Sequence, residues 1–132
     1  MSEQSYDASY LESKAKVLIV DDEIEITEEI TETLEVLGYE CIAATDPYLG
    51  LEIVLMDTEI SIVIVDVRMP GMNGIELCKK IKVGLAADRD VEIIVVTGHA
   101  GLTEAIESVR VGVLDFLKKP ITIELLQHTV GK

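Results

Sequence analysis

The sequence predicts an α/β fold, a doubly wound three-layer sandwich in which helices cover both faces of a parallel sheet. Short β-branched segments alternate with longer amphipathic segments five times along the chain. The short segments are almost continuously apolar, as in strands buried on both faces, instead of alternating with polar residues. The length of 132 residues suits one domain with a single core.

Five strand–helix units follow one another along the chain. In order, each strand before its helix, they are Val17–Val20 and Ile24–Leu37; Glu40–Ala43 and Pro47–Met56; Ile62–Val65 and Gly74–Ile81; Val91–Val96 and Gly101–Val111; Leu114–Leu117 and Ile123 onward. The pattern alone leaves the strand order open. Right-handed crossovers restrict it, and the flavodoxin-like order 2-1-3-4-5 is one of the two common arrangements.

Local signals support the first two helices. Apolar and methyl-bearing residues between Ile26 and Leu37 are spaced to form one buried stripe, and Gly38 follows as a C-terminal cap. Asp46 precedes Pro47, which is the pattern of an N-cap with proline at the first helical position. We therefore expect helices that begin and end at these residues.

The fourth helix is ambiguous. Glycines flank it at Gly101 and Gly112, and the alternating Val109, Val111 and Val113 fit a strand equally well. The segment has the features of a mobile element.

The last helix is short, since only about two or three turns fit between Thr122 and Lys132. We expect residues 1–15, which are mostly polar and acidic, to be a flexible lead-in, and residues 16–132 to be one domain. The short helix leads us to expect a further domain after Lys132, in a multidomain regulator or kinase.

Composition excludes several classes of protein. The formal net charge of −14 opposes direct binding of nucleic acid. No apolar run approaches the roughly 20 residues that span a bilayer, and the N-terminus lacks the pattern of a secretory signal, so we expect a cytoplasmic protein without a membrane segment. The cysteines, Cys41 and Cys78, fit neither a disulfide framework nor a zinc site.

Polar residues collect where the predicted strands end. Strand one leads into Asp21-Asp22-Glu23, strand three into Asp66, strand four into Thr97, and strand five into Lys118-Lys119. In an open parallel sheet, ligands bind outside the carboxyl ends of the strands, so these side chains are expected to share one site.

The residue types at this edge suit phosphoryl transfer. Carboxylates held close together repel one another unless a hard dication binds them, and Mg²⁺ prefers oxygen ligands. With the metal and a fixed cation in place, Asp66 can attack a phosphoryl group, Lys119 can pair with its oxygens and Thr97 can donate a hydrogen bond.

The chain from Lys16 onward resembles the receiver domain of two-component response regulators. The resemblance is carried by four motifs in the family's order: Val17-Leu18-Ile19-Val20-Asp21-Asp22, Val63-Ile64-Val65-Asp66-Val67-Arg68-Met69-Pro70-Gly71-Met72-Asn73-Gly74, Val95-Val96-Thr97-Gly98 and Asp115-Phe116-Leu117-Lys118-Lys119-Pro120. Each motif is weak alone, but the set is highly specific. The resemblance implies the flavodoxin-like (βα)5 fold with strand order 2-1-3-4-5.

The resemblance also assigns the site. It implies that Asp66 is the phosphoacceptor, that Asp22 binds Mg²⁺ directly and Asp21 mainly through water, and that the backbone carbonyl of Arg68 completes the protein ligands. The lysine just before the proline, Lys119, makes the phosphate contact.

The resemblance also implies which residues carry the conformational switch and which control the lifetime of the phosphoryl group. Thr97 moves toward the phosphoryl group, and Phe116 is the aromatic switch residue, here without the hydroxyl group of a tyrosine. Arg68 and His99 are the residues that tune how long the phosphoryl group survives.

The family's partners define the expected role. The resemblance implies a signalling domain, not a conventional enzyme, which takes its phosphoryl group from a sensor histidine kinase, a phosphotransfer protein or a small phosphodonor. The switched surface is formed by helix four, strand five and helix five. It is expected to control an output domain and offers a surface for homodimerisation.

Three alternatives remain at this stage. The acids at 21–23 could simply cap a helix. The domain could be a docking module that works without phosphorylation. A haloacid-dehalogenase-type phosphatase also uses an aspartate after a parallel strand, but the second aspartate that such an enzyme carries two residues later is replaced here by Arg68. A dinucleotide-binding domain is not supported, because no G-x-G-x-x-G follows the first strand.

Overall fold

The computed structural model describes residues 15–98, 102–119 and 122–130. Within these ranges five strands alternate with five helices. They are β1 (Lys16–Val20), α1 (Ile24–Val36), β2 (Glu40–Ala44), α2 (Pro47–Met56), β3 (Ile60–Asp66), α3 (Gly74–Gly84), β4 (Glu92–Thr97), α4 (Leu102–Val111), β5 (Asp115–Lys118) and α5 (Ile123–Val130).

The strands form one parallel sheet in the order β2-β1-β3-β4-β5. This order confirms the predicted flavodoxin-like arrangement. The register aligns the carboxyl ends: Val20 lies beside Val65, Asp66 beside Val96, and Thr97 beside Lys118. The residues that follow β1, β3, β4 and β5 therefore meet at one edge of the sheet.

Apolar cores lie on both faces of the sheet. One contains Leu18, Val63, Ile93 and Val95 together with buried residues of α2 and α3. The other contains the strand residues next in sequence to these, such as Val17, Ile62, Ile94 and Val96, and they pack with residues of α1 and α5. Because neighbouring residues of a strand face opposite sides, two cores require the continuous apolar runs seen in the sequence. The three-layer sandwich is confirmed.

Several boundaries differ from the predicted ones. β3 begins at Ile60 instead of Ile62, and α3 continues to Gly84 instead of ending at Ile81. The ambiguous fourth segment is a helix, whose last turn receives backbone hydrogen bonds from Gly112 and Val113 at the carbonyl of Ser108. Gly112 has φ +85°, a conformation that glycine adopts without strain.

The predicted caps of the first two helices are present. Oδ1 of Asp46 accepts a hydrogen bond from the backbone N–H of Tyr48 at 2.8 Å, with Pro47 in the first turn. Gly38 follows the end of α1 with φ +98°. The start of α2 and the end of α1 therefore lie where these sequence signals predicted them.

At the amino end of the sheet, charged side chains anchor the chain. The guanidinium of Arg89 donates to the backbone carbonyls of Val54, Asp57 and Ile60. Lys16 Nζ lies 2.6 Å from Oδ2 of Asp57. These contacts join the end of α2 to the first strand and to the start of β3.

Some predictions fall outside the described residues. They concern residues 1–14 of the lead-in, His99 and Gly101. Cys41, which is half-buried, and Cys78, which is buried, are free thiols in the structure. No helix in the described part of the chain is long and apolar enough to cross a bilayer.

Candidate functional site

Three carboxylates converge at the carboxyl edge of the sheet. Asp21 and Asp22 follow β1, and Asp66 ends β3, the strand next to it. One carboxylate oxygen from each lies within 4.8 Å of those of the other two. Asp21 and Asp66 are buried, whereas Asp22 is exposed. The three carboxylates that the sequence places after β1 and β3 thus lie together at this edge.

A lysine ammonium group bridges the two buried carboxylates. Lys119 Nζ lies 3.1 Å from Oδ2 of Asp21 and 3.3 Å from Oδ1 of Asp66, with Glu23 at 3.6 Å. The backbone N–H of Lys119 donates to the carbonyl of Thr97 at 2.8 Å, which fixes the end of β5 against β4. The neighbouring Lys118 is exposed. The structure therefore places Lys119 in the site.

The loop after β3 is shaped by a close backbone approach. The N–H of Gly74 donates to the carbonyl of Val67 at 2.7 Å. A Cβ atom on Gly74 would lie 2.2 Å from the carbonyl oxygen of Asp66, a distance that no side chain tolerates. Residue 74 must be glycine for α3 to begin where it does, directly against the residue that ends β3.

A capping box fixes the start of α3. Oδ1 of Asn73 accepts from the N–H of Glu76 at 2.9 Å, and Oε1 of Glu76 accepts from the N–H of Asn73 at 3.3 Å. This reciprocal pair satisfies two backbone donors at the helix start. The Asn-x-x-Glu spacing that marks this helix start is visible in the sequence, although the predicted start at Gly74 did not rest on it.

The acids after β1 do more than cap a helix. Glu23 is the N-cap residue of α1, and its side chain makes no capping hydrogen bond. Oδ1 of Asp21 accepts from the N–H of Glu23 at 2.9 Å, while Oδ2 faces Lys119. The capping interpretation therefore accounts for one oxygen of Asp21 and leaves the other at the site.

Burial and crowding raise the pKa values of the two buried carboxylates. For Asp66, burial is the main cause and the charge of Asp21 adds to it, while Lys119 opposes both; the pKa is about 6 against an ordinary 3.8. Burial also raises the pKa of Asp21, against the hydrogen bonds from Glu23 and Lys119. One ammonium group does not fully neutralise this site, which thus favours a further cation.

The lysine is held in its charged form. Burial is the strongest single influence on Lys119 and works to lower its pKa. The hydrogen bonds and charges of Asp21 and Asp66 together outweigh burial, so the pKa of Lys119 is raised from its ordinary value. A fixed positive charge therefore faces Asp66 at neutral pH.

The two predicted switch residues lie on neighbouring strands. Thr97 ends β4 and is fully buried. Phe116 on β5 pairs with Val95, and its half-buried side chain packs against the core that α2 and α3 cover. Thr97 is thus at the carboxyl edge, and Phe116 lies beside the same strand, two residues deeper in the register.

A cleft opens beside the carboxylates. Its volume is about 520 Å³, and its lining includes Asp22, Arg68, Glu104 and Glu107. Arg68 is largely exposed, and its Nη2 lies 3.9 Å from Oε2 of Glu104 on α4. Glu104 was not among the residues found by sequence reasoning, because nothing in the local pattern connects it to the loop after β3.

Fold and site together define an α/β domain with an acidic site at the carboxyl edge of its sheet, in which a lysine ammonium group contacts two buried carboxylates. The family model described as "Response regulator receiver domain" matches residues 17–131. The chain therefore belongs to the response regulator receiver family, as the resemblance implied.

Among similar curated proteins is the two-component response regulator PprB of Pseudomonas aeruginosa, 38% identical over 112 residues, which are 85% of this chain and 41% of that protein. Sporulation initiation phosphotransferase F of Bacillus subtilis is 32% identical over 117 residues, 89% of this chain and 91% of that protein. A CheY-like receiver domain structure from Methanospirillum hungatei superposes with TM-score 0.83 at 28% identity, covering 90% of this chain and 92% of that one.

The first curated relatives are longer proteins. The chain spans 41% of PprB and 24% of the C4-dicarboxylate transport regulator DctD of Rhizobium meliloti. It corresponds to nearly the whole of the sporulation phosphotransferase. The shared part is the receiver domain, a signalling domain.

Proposed function

We propose that this domain accepts a phosphoryl group on Asp66 and changes its surface in response. The observation that carries the proposal is the position of Lys119 Nζ, 3.3 Å from Oδ1 of Asp66 inside a group of three carboxylates. A nucleophilic carboxylate, a metal-binding set of oxygens and a fixed ammonium group are the parts that phosphoryl transfer requires.

The cluster of three carboxylates, Asp21, Asp22 and Asp66, suits Mg²⁺. It offers hard oxygen donors within 4.8 Å of one another, and two of the three are buried with raised pKa values, so a dication relieves their repulsion. Asp22 and Asp66 would bind the ion directly, Asp21 through water, and the backbone carbonyl of Arg68 would complete the protein ligands. When bound, Mg²⁺ neutralises negative charge on the transferring oxygens.

The phosphoryl transfer follows from these positions. A carboxylate oxygen of Asp66 forms a bond to phosphorus while the bond from phosphorus to the donor breaks, and the donor leaves with the bonding electrons. The donor is a phosphohistidine on a kinase or phosphotransfer protein, or a small acyl phosphate. Lys119 pairs with the phosphoryl oxygens, and the Thr97 hydroxyl donates to one of them. Water later hydrolyses the acyl phosphate and regenerates Asp66.

The response passes through Thr97 and Phe116. Thr97 moves toward the phosphoryl group, and Phe116 turns into the space it leaves. This shifts an equilibrium between two arrangements of α4, β5 and α5. Exposed apolar side chains on this surface, Ile106, Val109 and Leu125, suit contact with an output domain or a second copy of the domain.

Acetyl phosphate tests the proposal. The purified protein is incubated with acetyl phosphate and Mg²⁺, and its intact mass is followed with time. We expect one acid-labile phosphoryl group, absent from the Asp66→Asn variant and absent when EDTA replaces Mg²⁺. A folded protein that forms no adduct would instead favour a docking module that works without phosphorylation.

A further inference from the structure

The ion pair between Arg68 and Glu104 joins the acceptor loop to α4. Arg68 lies two residues after Asp66, and Glu104 lies in the first turn of α4. We propose that Glu104 is a positioning residue that holds Arg68 away from the acceptor and thereby sets the lifetime of the phosphoryl group. The proposal rests on the proposed function of Asp66.

The geometry puts both residues at the mouth of the site. They line the same cleft of about 520 Å³, and Asp22 lines it too. Arg68 Nη2 is 3.9 Å from Oε2 of Glu104, and the arginine side chain is 61% exposed against 29% for the glutamate. The guanidinium therefore extends across the cleft toward α4 from the loop that follows Asp66.

The pair is suited to exchange. Exposed ion pairs at this distance are weak, so little free energy holds Arg68 against Glu104. A phosphoryl group on Asp66 carries nearly two negative charges in place of the single charge of the carboxylate, and its oxygens can bind a guanidinium in a bidentate manner. Lys119 already faces Asp21 and Asp66 before phosphorylation, whereas the partner of Arg68 is Glu104 on α4, outside the three carboxylates. Glu104 and the phosphoryl group then compete for one guanidinium.

Removing the charge of Glu104 shifts that competition. In Glu104→Gln, Arg68 spends more time on the phosphoryl oxygens, where it stabilises the acyl phosphate and covers the approach of water. We expect hydrolysis to slow by about two- to fivefold, the range that loss of an exposed ion pair supplies. Glu104→Asp keeps the charge, so its rate should stay closer to that of the native protein.

The test measures first-order decay of the phosphorylated full chain after the phosphodonor is removed. Four proteins are compared: the native chain, Glu104→Gln, Arg68→Gln and the double variant. Glu104→Gln should slow decay in the native background and have no effect when Arg68 is already glutamine. Glu107→Gln, which changes a glutamate lining the same cleft, is the matched control and should decay at the native rate. High salt should shrink the difference between Glu104→Gln and the native chain.

Other outcomes overturn the role of Glu104. They are an unchanged decay rate in Glu104→Gln, or an equal slowing in the native and Arg68→Gln backgrounds, which would show that Glu104 does not act through Arg68. The proposed function fails separately, and this role with it, when the native chain forms no adduct at all.

Discussion

Gly74 and Asp66 are in backbone contact: a Cβ atom on Gly74 would lie 2.2 Å from the carbonyl oxygen of Asp66. The contact couples the start of α3 to the residue that carries the proposed chemistry. The glycine is thus a requirement of the site as well as of the turn.

Replacing this glycine should damage both stability and site geometry. Gly74→Ala forces α3 away from β3, and we expect the free energy of unfolding to fall by about 1–3 kcal/mol, the range for overpacking a close contact. Urea denaturation measures the change. Gly98→Ala is the control, because a Cβ atom there meets nothing within 4 Å. Equal stability of the two variants would contradict the assigned contact.

Removing the charge of Asp66 should stabilise the metal-free protein. Its pKa is about 6 when folded against an ordinary 3.8, so the folded state holds more protons than the unfolded state between these values, and stability falls as pH rises through them. Asp66→Asn escapes this loss. We expect a gain on the order of 2 kcal/mol at pH above the folded pKa and a smaller gain at acid pH. Urea unfolding across this pH range, without Mg²⁺, measures it.

Asp57 provides a control of opposite sign at the other end of the sheet. The hydrogen bond from Lys16 is the main cause that lowers the pKa of Asp57 below its ordinary 3.8. The ionised carboxylate therefore adds stability that is present above that value and lost as pH falls through the folded pKa. Asp57→Asn should destabilise the protein at neutral pH, and the difference should vanish in acid. Stabilisation by both substitutions would point to a general effect of net charge.

Lys119 should stabilise the metal-free fold. In Lys119→Gln, Asp21 and Asp66 lose their shared partner, and we expect the free energy of unfolding to fall by about 1–3 kcal/mol at neutral pH. Saturating Mg²⁺ should recover part of this loss, because the dication replaces the missing charge. Lys118→Gln, at the exposed neighbouring residue, should leave stability unchanged. Thermal unfolding with and without Mg²⁺ compares them, and an equal loss in both variants would argue against the bridging role.

Mg²⁺ affinity should depend on pH. A proton on Asp66 competes with the metal, so affinity should be constant above the pKa of about 6 and decrease below it. The expected decrease approaches about tenfold per pH unit when one proton is displaced. Isothermal titration calorimetry measures the affinity and the proton release. An affinity unchanged between pH 7 and about pH 5 would exclude Asp66 as a ligand.

Much of the fold could be predicted because its signals are local. Continuous apolar runs identified the strands, and Asp46-Pro47 and Gly38 marked helix ends. The start of β3 was missed because Ser61 interrupts its apolar run after Ile60. Alternating valines left α4 ambiguous, and the strand interpretation was overridden by the hydrogen bonds that make this segment a helix.

The site likewise has features that the sequence predicted and features that depend on tertiary packing. The proximity of Asp21, Asp66 and Lys119 follows from parallel strands whose carboxyl ends meet, so sequence reasoning found it. The contact between Arg68 and Glu104 depends on where α4 packs, and no local pattern reports that. The contact of Gly74 with the carbonyl of Asp66 is likewise a matter of tertiary approach, although Gly74 was predicted to begin α3.

The central claim is that Asp66, and not a neighbouring carboxylate, takes up the phosphoryl group. Borohydride reduction of the phosphorylated protein converts an aspartyl phosphate to homoserine, and peptide mass spectrometry then locates the converted residue. Our account predicts homoserine at position 66 alone, dependent on both phosphodonor and Mg²⁺. Conversion at Asp21 or Asp22, or a phosphoryl group retained on a hydroxyl side chain with no homoserine formed, would contradict it.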